Sequence, residues 1–241
     1  MNKIVPFAIL LLVLTLHAGA QKKIKPWTEW TEKEVAKMLN DSPWGHTQTD
    51  TNASEMFYSP PSSTGGRSVG VSGETNDRNQ QGALNQAVFL NFRIRLLSAK
   101  PIRQAYARRV LLKSPEMLEQ LKTFADQESD KFIVVAVEYD GKDQRFTGRA
   151  FQAFSSTTTA TIKNVTFLET KDARRIFLEQ YIPPGKDGLG AKFIFPKMEN
   201  GEPFVTAESG FLRFYAEVSP EVKLNMRFKI SEMIYQDKLE Y

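Results

Sequence analysis

The chain contains no cysteine. Disulfide bonds, thiolate nucleophiles and cysteine-ligated metals are therefore excluded. Histidine is nearly as scarce, because His17 and His46 are the two copies among 241 residues. Zinc sites draw on several cysteine or histidine ligands, and serine triads need a histidine base. The composition therefore argues against both kinds of site, and no cofactor is predicted.

The sequence has no long apolar run after residue 20, so no transmembrane helix is predicted in that part of the chain. Met1–Ala20 has Lys3, then the apolar run Ile4–Leu16, then small residues. This order is typical of a secretory signal peptide, and cleavage is predicted after Ala20. The competing transmembrane anchor needs about 20 apolar residues, more than this run supplies. We expect a secreted or periplasmic protein with no lipid-linked cysteine and no transmembrane anchor after cleavage.

Neither sign of charge dominates the chain. Its hydrophobic share of 41% and charged share of 25% are those of an ordinary globular protein. Removing residues 1–20 loses one lysine and no acid, so the net charge falls from +4 to +3. So small an excess gives no argument for a nucleic-acid partner.

The residues that remain divide into three segments after the signal peptide. We predict an N-terminal helical segment at 21–45, a flexible loop at 46–86 rich in Gly, Ser, Thr and Asn, and a domain at 87–241. Helical patterns come early in the domain, and a β-meander is predicted from Val165 onward. The fold class is therefore α+β, a mainly antiparallel sheet with several helices packed on it and a docked N-terminal helix.

The N-terminal segment holds the best-specified helix and every tryptophan. Thr31 is the predicted N-cap, and Glu34 completes a capping box. A helix ending at Asn40 is too short to be stable alone in water, so its apolar face must dock on the rest of the protein. Packing of the indole rings in the core is the preferred reading, and recognition of a partner is the alternative. The tryptophans concerned are Trp27, Trp30 and Trp44.

The domain opens with alternating strand periodicity at Ala87–Ser98, which predicts one apolar face and one wet face. A helix after Pro101, a second after Pro115 and a strand over Phe132–Val137 follow. Asp140-Gly141 is predicted to turn the chain.

A dense basic region spans the first strand and helix. Read as a function, it is an anion-binding patch, provided that its arginines converge on one face. The alternative interpretation, which we prefer, is that these residues form the solvated side of one strand and one helix without a binding function. Its candidate binding residues are Arg93, Arg95, Arg103 and Arg109.

Catalytic patterns are weak. Gly66-Arg67-Ser68-Val69-Gly70 spells G-x-S-x-G, but it lies in the predicted loop without the strand and helix that a nucleophile elbow requires. The single histidine of the exported chain also precedes this serine. A pair of carboxylates brought together by folding is the alternative route to catalysis, as in glycosidases.

The stretch PWTEWTEKEVAKMLNDSPW, the passage Phe92–Arg109 and the run DGLGAKFIFP at Asp187–Pro196 resemble a group of secreted bacterial proteins of unknown function. The resemblance implies export and one shared domain organisation, and it implies no catalytic residue, ligand or cofactor. We therefore expect an exported, non-enzymatic protein that binds an envelope protein, an extracellular protein or an anionic polymer. The alternative is an exported hydrolase that uses an acidic pair at the mouth of the sheet.

Overall fold

The computed structural model describes residues 25–50, 89–128 and 131–241, and over these the fold is α+β, as predicted. The helices are α1 Glu32–Asn40, α2 Lys100–Leu111, α3 Leu118–Asp126, α4 Gln144–Ser156 and α5 Thr159–Ile162. The strands are β1 Gly45–Asp50, β2 Leu90–Leu96, β3 Phe132–Gly141, β4 Phe167–Thr170, β5 Arg175–Phe177, β6 Gln180–Ile182, β7 Ala191–Pro196, β8 Met198–Glu199, β9 Glu202–Pro203, β10 Phe211–Glu217, β11 Lys223–Lys229, β12 Ile234–Tyr235 and β13 Lys238–Leu239. The predicted signal peptide, the G-x-S-x-G pattern and positions 51–86 of the predicted loop lie outside the described residues.

Two antiparallel sheets take the place of the single predicted meander. The first has the strand order β1-β2-β3-β7-β6, and the second has the order β11-β10-β4-β5. The chain crosses between them at Leu178-Glu179, where Leu178 N–H donates to Thr166 O and Glu179 N–H donates to Ile194 O. The predicted meander included one strand over Arg174–Ile182. This part of the prediction is wrong, because the two halves of the segment, β5 and β6, pair in different sheets.

The start of the predicted loop is also wrong, since residues 46–50 belong to β1. This strand pairs with β2 in the register Gly45↔Arg95 to Asp50↔Leu90. The sequence pattern did not indicate this strand, because its residues are mostly polar. An edge strand needs few apolar side chains once a neighbouring strand supplies the hydrogen bonds. His46 lies with its ring centroid 5.2 Å from that of Phe228 in the second sheet. Burial there lowers the pKa of His46, although Asp41 and Glu232 act in the opposite direction.

Aromatic side chains fill the space between the two sheets. Phe193 and Phe195 of β7 face Phe214 of β10, with ring centroids 5.2 and 6.2 Å apart. The α4 residue Phe154 stacks on Tyr139 of β3 at 5.2 Å. Burial of these rings is the main favourable contribution to the fold.

The other face of the first sheet is covered by helices. Leu90, Phe92, Ile94 and Leu96 are wholly buried on the inner face, as the alternation predicts. The opposite face, expected to be wet, contains Arg95, which is also wholly buried because α1 and α2 lie over it. The protein therefore has three layers, and Arg95 of β2 lies between two of them.

The N-terminal helix forms as predicted. Thr31 accepts from Glu34 N–H, and the Glu34 carboxylate accepts from Thr31 N–H, which completes the capping box. Val35 and Leu39 are buried on its inner face. The docked amphipathic face is what makes so short a helix stable.

Two smaller expectations are also corrected. Asp140-Gly141 does not turn the chain, because β3 continues to Gly141 in register with Leu90. The predicted meander also ended with Ile234, Tyr235 and Leu239. These residues do not extend the main sheets, because Ile234 and Leu239 pair with each other in the β12–β13 hairpin.

Docking of the indole rings leads to a prediction about stability. Trp30 is 7% exposed, and its Nε1–H donates to Lys25 O at 3.1 Å. Trp30→Ala should lower the free energy of unfolding by about 3 kcal/mol or more, because it empties a buried site that the helix does not refill. Urea unfolding measures the change.

Phe151→Ala is the matched control, since this ring on α4 is 55% exposed. Its effect should stay within about 0.5 kcal/mol. Equal stability of the Trp30→Ala variant and the parent would contradict docking.

Candidate functional site

The three tryptophans named as candidate binding residues are part of the hydrophobic core. Trp27, Trp30 and Trp44 are all buried. Trp44 Nε1–H donates to Glu240 O at 2.8 Å, which joins the N-terminal segment to the C-terminal end of the chain. Arg108 Nε–H donates to Trp30 O at 2.7 Å and holds the segment on α2. Free presentation of the indole rings to a partner is therefore not what the structure shows.

One edge of Trp30 nevertheless contributes to a surface cavity of about 380 Å³. We name it the α1 groove, and define it by Lys25, Trp30, Lys37, Met38, Pro43 and Tyr235. Glu34 also lines it, and the hydrogen bond from Lys25 is the largest of the effects that lower the pKa of Glu34 to about 2. The groove is therefore lined by both apolar and charged side chains.

Three of the four predicted arginines lie close together over the first sheet. Arg93 pairs with Asp140 at 3.0 Å. Arg95 and Arg109 both pair with Glu138, at 2.7 and 3.2 Å. Because carboxylates already hold each of them, this group is a set of ion pairs and not an open anion-binding patch.

Arg95 is the most completely satisfied charge of this group. Its Nε–H donates to Leu39 O at 2.6 Å, and Nη2 donates to the Asn40 side chain at 2.8 Å. Nη1 donates to Tyr106 Oη at 2.6 Å and also meets Glu138. The guanidinium thus binds the carbonyl end of α1, where the helix dipole favours a cation.

The partners of Arg95 respond to its charge and to burial. Burial raises the pKa of Tyr106 to about 12, which keeps its phenol neutral. Burial also acts to raise the pKa of Glu138, but the charges and hydrogen bonds of Arg95 and Arg109 outweigh it and the pKa is lowered. Glu138 is therefore an ionised carboxylate that satisfies two arginines, and it is not placed to act as an acid.

Arg103 does not join the other three. It is 6% exposed and contributes to a different cavity, of about 430 Å³. We name this cavity the Arg103 pocket. It is lined by Leu97, Ser98, Arg103, Phe124, Gln127, Glu128, Lys131, Phe132 and Val134.

The guanidinium of Arg103 is poorly satisfied for a buried charge. Nη1 donates to Ser98 O, whereas Nε is buried with no hydrogen-bond partner. Within the described residues no carboxylate oxygen comes within 4.0 Å of it. Buried charges are normally paired, so an enclosed cation with a spare donor is unusual.

Three carboxylates influence Arg103 from a greater distance. Burial lowers the pKa of Arg103, and Glu240, Asp126 and Glu128 raise it. Each of these acids has a nearer partner. Asp126 pairs with Lys100 at 3.8 Å, Glu128 pairs with Lys238 at 3.7 Å, and Glu240 accepts from Lys100 N–H at 3.0 Å. Arginine stays protonated in proteins, so the pocket contains a permanent cation.

The carboxylates of the pockets do not form an acid–base pair. Glu34 and Asp41 share the α1 groove, and Asp172 and Glu208 share a third cavity of about 330 Å³. The pKa of Asp172 is lowered, chiefly by a hydrogen bond from Thr170, as that of Glu34 is by Lys25. The carboxyl of Asp50 has a raised pKa, owing to burial, but it contributes to none of these cavities. Residues 25–50, 89–128 and 131–241 also contain no group of three or more His, Cys, Asp or Glu that could hold a metal ion.

The pattern of α2 gives no clear signal for the burial of Arg103, because the helix also contains Lys100, Gln104, Arg108 and Arg109. Arg103 and Gln104 are nevertheless buried. The helices α1 and α3 pack against α2, and periodicity along α2 alone does not specify these neighbours.

The described residues therefore form a three-layer α+β protein in which one cavity is lined by the buried Arg103 and a second, largely apolar cavity lies beside α1. Comparison of the chain with protein-family models, with curated proteins and with solved structures gives no match. No described helix combines the length and the apolar composition that crossing a bilayer demands.

The role of Arg95 can be tested by replacement. Arg95→Met should lower the free energy of unfolding by about 3 kcal/mol, because Glu138 and the end of α1 lose a buried partner. Thermal or urea unfolding provides the measurement.

Arg93→Met removes an arginine from the same face of the same strand, and its ion pair with Asp140 is solvent-exposed. That variant should change stability by less than about 1 kcal/mol. Equal losses in the two variants would show that Arg95 is an ordinary surface charge.

Proposed function

We propose that this is an exported binding protein without catalytic activity, and that the Arg103 pocket is its ligand site. The pocket carries the proposal because it combines a concave apolar wall with an enclosed charged group. Small-molecule sites commonly have this composition, within a volume range of about 300–1,000 Å³. The volume of about 430 Å³ falls in that range.

The export that the sequence predicts is consistent with a binding function outside the cytoplasm. The leader pattern of Met1–Ala20 predicts a mature chain that begins at Gln21. A protein outside the cytoplasm meets ligands in the envelope or the medium. We therefore expect the partner to be an envelope or extracellular molecule, as proposed from the sequence.

The described residues provide no observation that favours the alternative function, an exported hydrolase. A general acid needs a carboxyl whose pKa is raised, beside a second that stays ionised. Glu34 and Asp172, which each share a cavity with a second carboxylate, instead have lowered pKa values. We therefore propose binding and not hydrolysis.

The test is a fragment screen on the protein recovered from cells that express the full chain. Export predicts recovery outside the cytoplasm with Gln21 as the first residue, which intact-mass measurement establishes. Binding is followed by NMR chemical shifts, and the expected result is a set of fragments whose shifts centre on Leu97, Phe124 and Val134. Mass spectrometry of the recovered fragments should find them unchanged.

Three outcomes contradict the proposal, each in a different part. Fragments that are cleaved or modified would indicate an enzyme. Fragments that bind elsewhere, or none at all, would remove the Arg103 pocket as the ligand site. Cytoplasmic protein with Met1 intact would remove export.

A further inference from the structure

Arg103 and Arg95 differ by one feature that points to a ligand. Both arginines are buried, Arg95 on β2 and Arg103 on α2, but Arg95 has partners for Nε, Nη1 and Nη2. Among the described residues, Arg103 has a partner for Nη1 alone. A buried donor without a partner destabilises a protein, and a charged donor does so more strongly. Such a group is explained if a bound molecule satisfies it.

We propose that the Arg103 pocket binds the carboxylate of an organic acid that has an apolar body. This inference rests on the proposed binding function and names its ligand class. The Ser98 carbonyl accepts from Nη1, and Nε is buried without a hydrogen-bond partner. In a guanidinium, Nε and Nη2 form one edge with two parallel N–H groups, the arrangement that receives a carboxylate through two hydrogen bonds.

The walls of the pocket select an organic ligand over an inorganic ion. Leu97, Phe124 and Val134 form an apolar lining beside the guanidinium. An apolar body would cover these side chains and would bind more tightly in proportion to the apolar area removed from water. Inorganic phosphate would leave that surface exposed and would itself lose hydration.

The charges around the pocket favour a single negative charge on the ligand. Lys131 is exposed at the rim and adds a second cation. Asp126, Glu128 and Glu240 act on Arg103 from beyond ion-pairing distance. The cationic excess is therefore small, which suits a monocarboxylate better than a phosphate dianion or a polyanion.

The experiment uses the chain from Gln21 to Tyr241 and three probes. They are 3-phenylpropionate, its uncharged amide, and inorganic phosphate, with affinities measured by calorimetry or NMR titration. The carboxylate should bind at least about tenfold more tightly than the amide, since hydrogen bonds to a charged group contribute more than the 1.4 kcal/mol of one such factor. Phosphate should bind more weakly than the carboxylate.

Two variants and one control locate the effect. Arg103→Gln should weaken 3-phenylpropionate binding by about tenfold or more. It should keep or raise the melting temperature, because the variant no longer buries a poorly satisfied charge. Arg93→Gln removes the same charge from an exposed ion pair and should leave the affinity within about twofold. Lys131→Glu alters an exposed rim residue, so the protein should stay folded, and it should weaken carboxylate binding because it places a like charge at the entrance.

Each contrary result overturns the inference in a recognisable way. Equal affinity for acid and amide, tighter binding of phosphate, or unchanged affinity in both Arg103→Gln and Lys131→Glu would each reject an organic carboxylate as the ligand. Neutral fragments that bind in the Arg103 pocket would leave the binding function standing and remove only the ligand class. A pocket that accepts no fragment would remove both.

Discussion

The guanidinium of Arg95 connects the first sheet to the helices α1 and α2. It lies on the first sheet, binds the carbonyl end of α1 through Leu39 and Asn40, and meets Glu138 and Tyr106. A nine-residue helix has little stability of its own, so its place depends on what holds it. Arg95 holds the polar end of α1, and the tryptophans hold its apolar side. The position of the N-terminal segment follows from both.

Helix α2 contains a second buried arginine, Arg103, with a different energetic role. Arg95 has a complete set of partners, so its burial is compensated by hydrogen bonds and by an ion pair. Arg103 has an incomplete set, and its surroundings are the walls of an open cavity. A protein keeps an uncompensated group where function requires it, and elsewhere such a group only lowers stability. The contrast between two arginines of one chain is the strongest support for a ligand at the second.

The elements that were predicted correctly are those whose formation depends on residues close together in the sequence. The capping box at Thr31 and Glu34, the strand periodicity around Phe92 and the helix after Pro101 all formed as predicted. Each depends on residues within a few positions of one another. The corrections fall where distant parts of the chain decide the outcome. β1 is a strand because β2 is beside it, and the segment Arg174–Ile182 divides because its two halves meet different sheets.

The sequence by itself determined the α+β class, the capped N-terminal helix and the absence of cysteine chemistry, because composition and short-range pattern suffice for these. The tertiary structure decided which arginines are paired and which are enclosed, since α1 and α2 cover a strand face whose pattern predicted exposure to water. It also decided that Arg103 faces a cavity of its own, away from Arg93, Arg95 and Arg109. The physical reason is that the burial of a charge depends on the elements packed around it, and periodicity along one segment does not specify those neighbours.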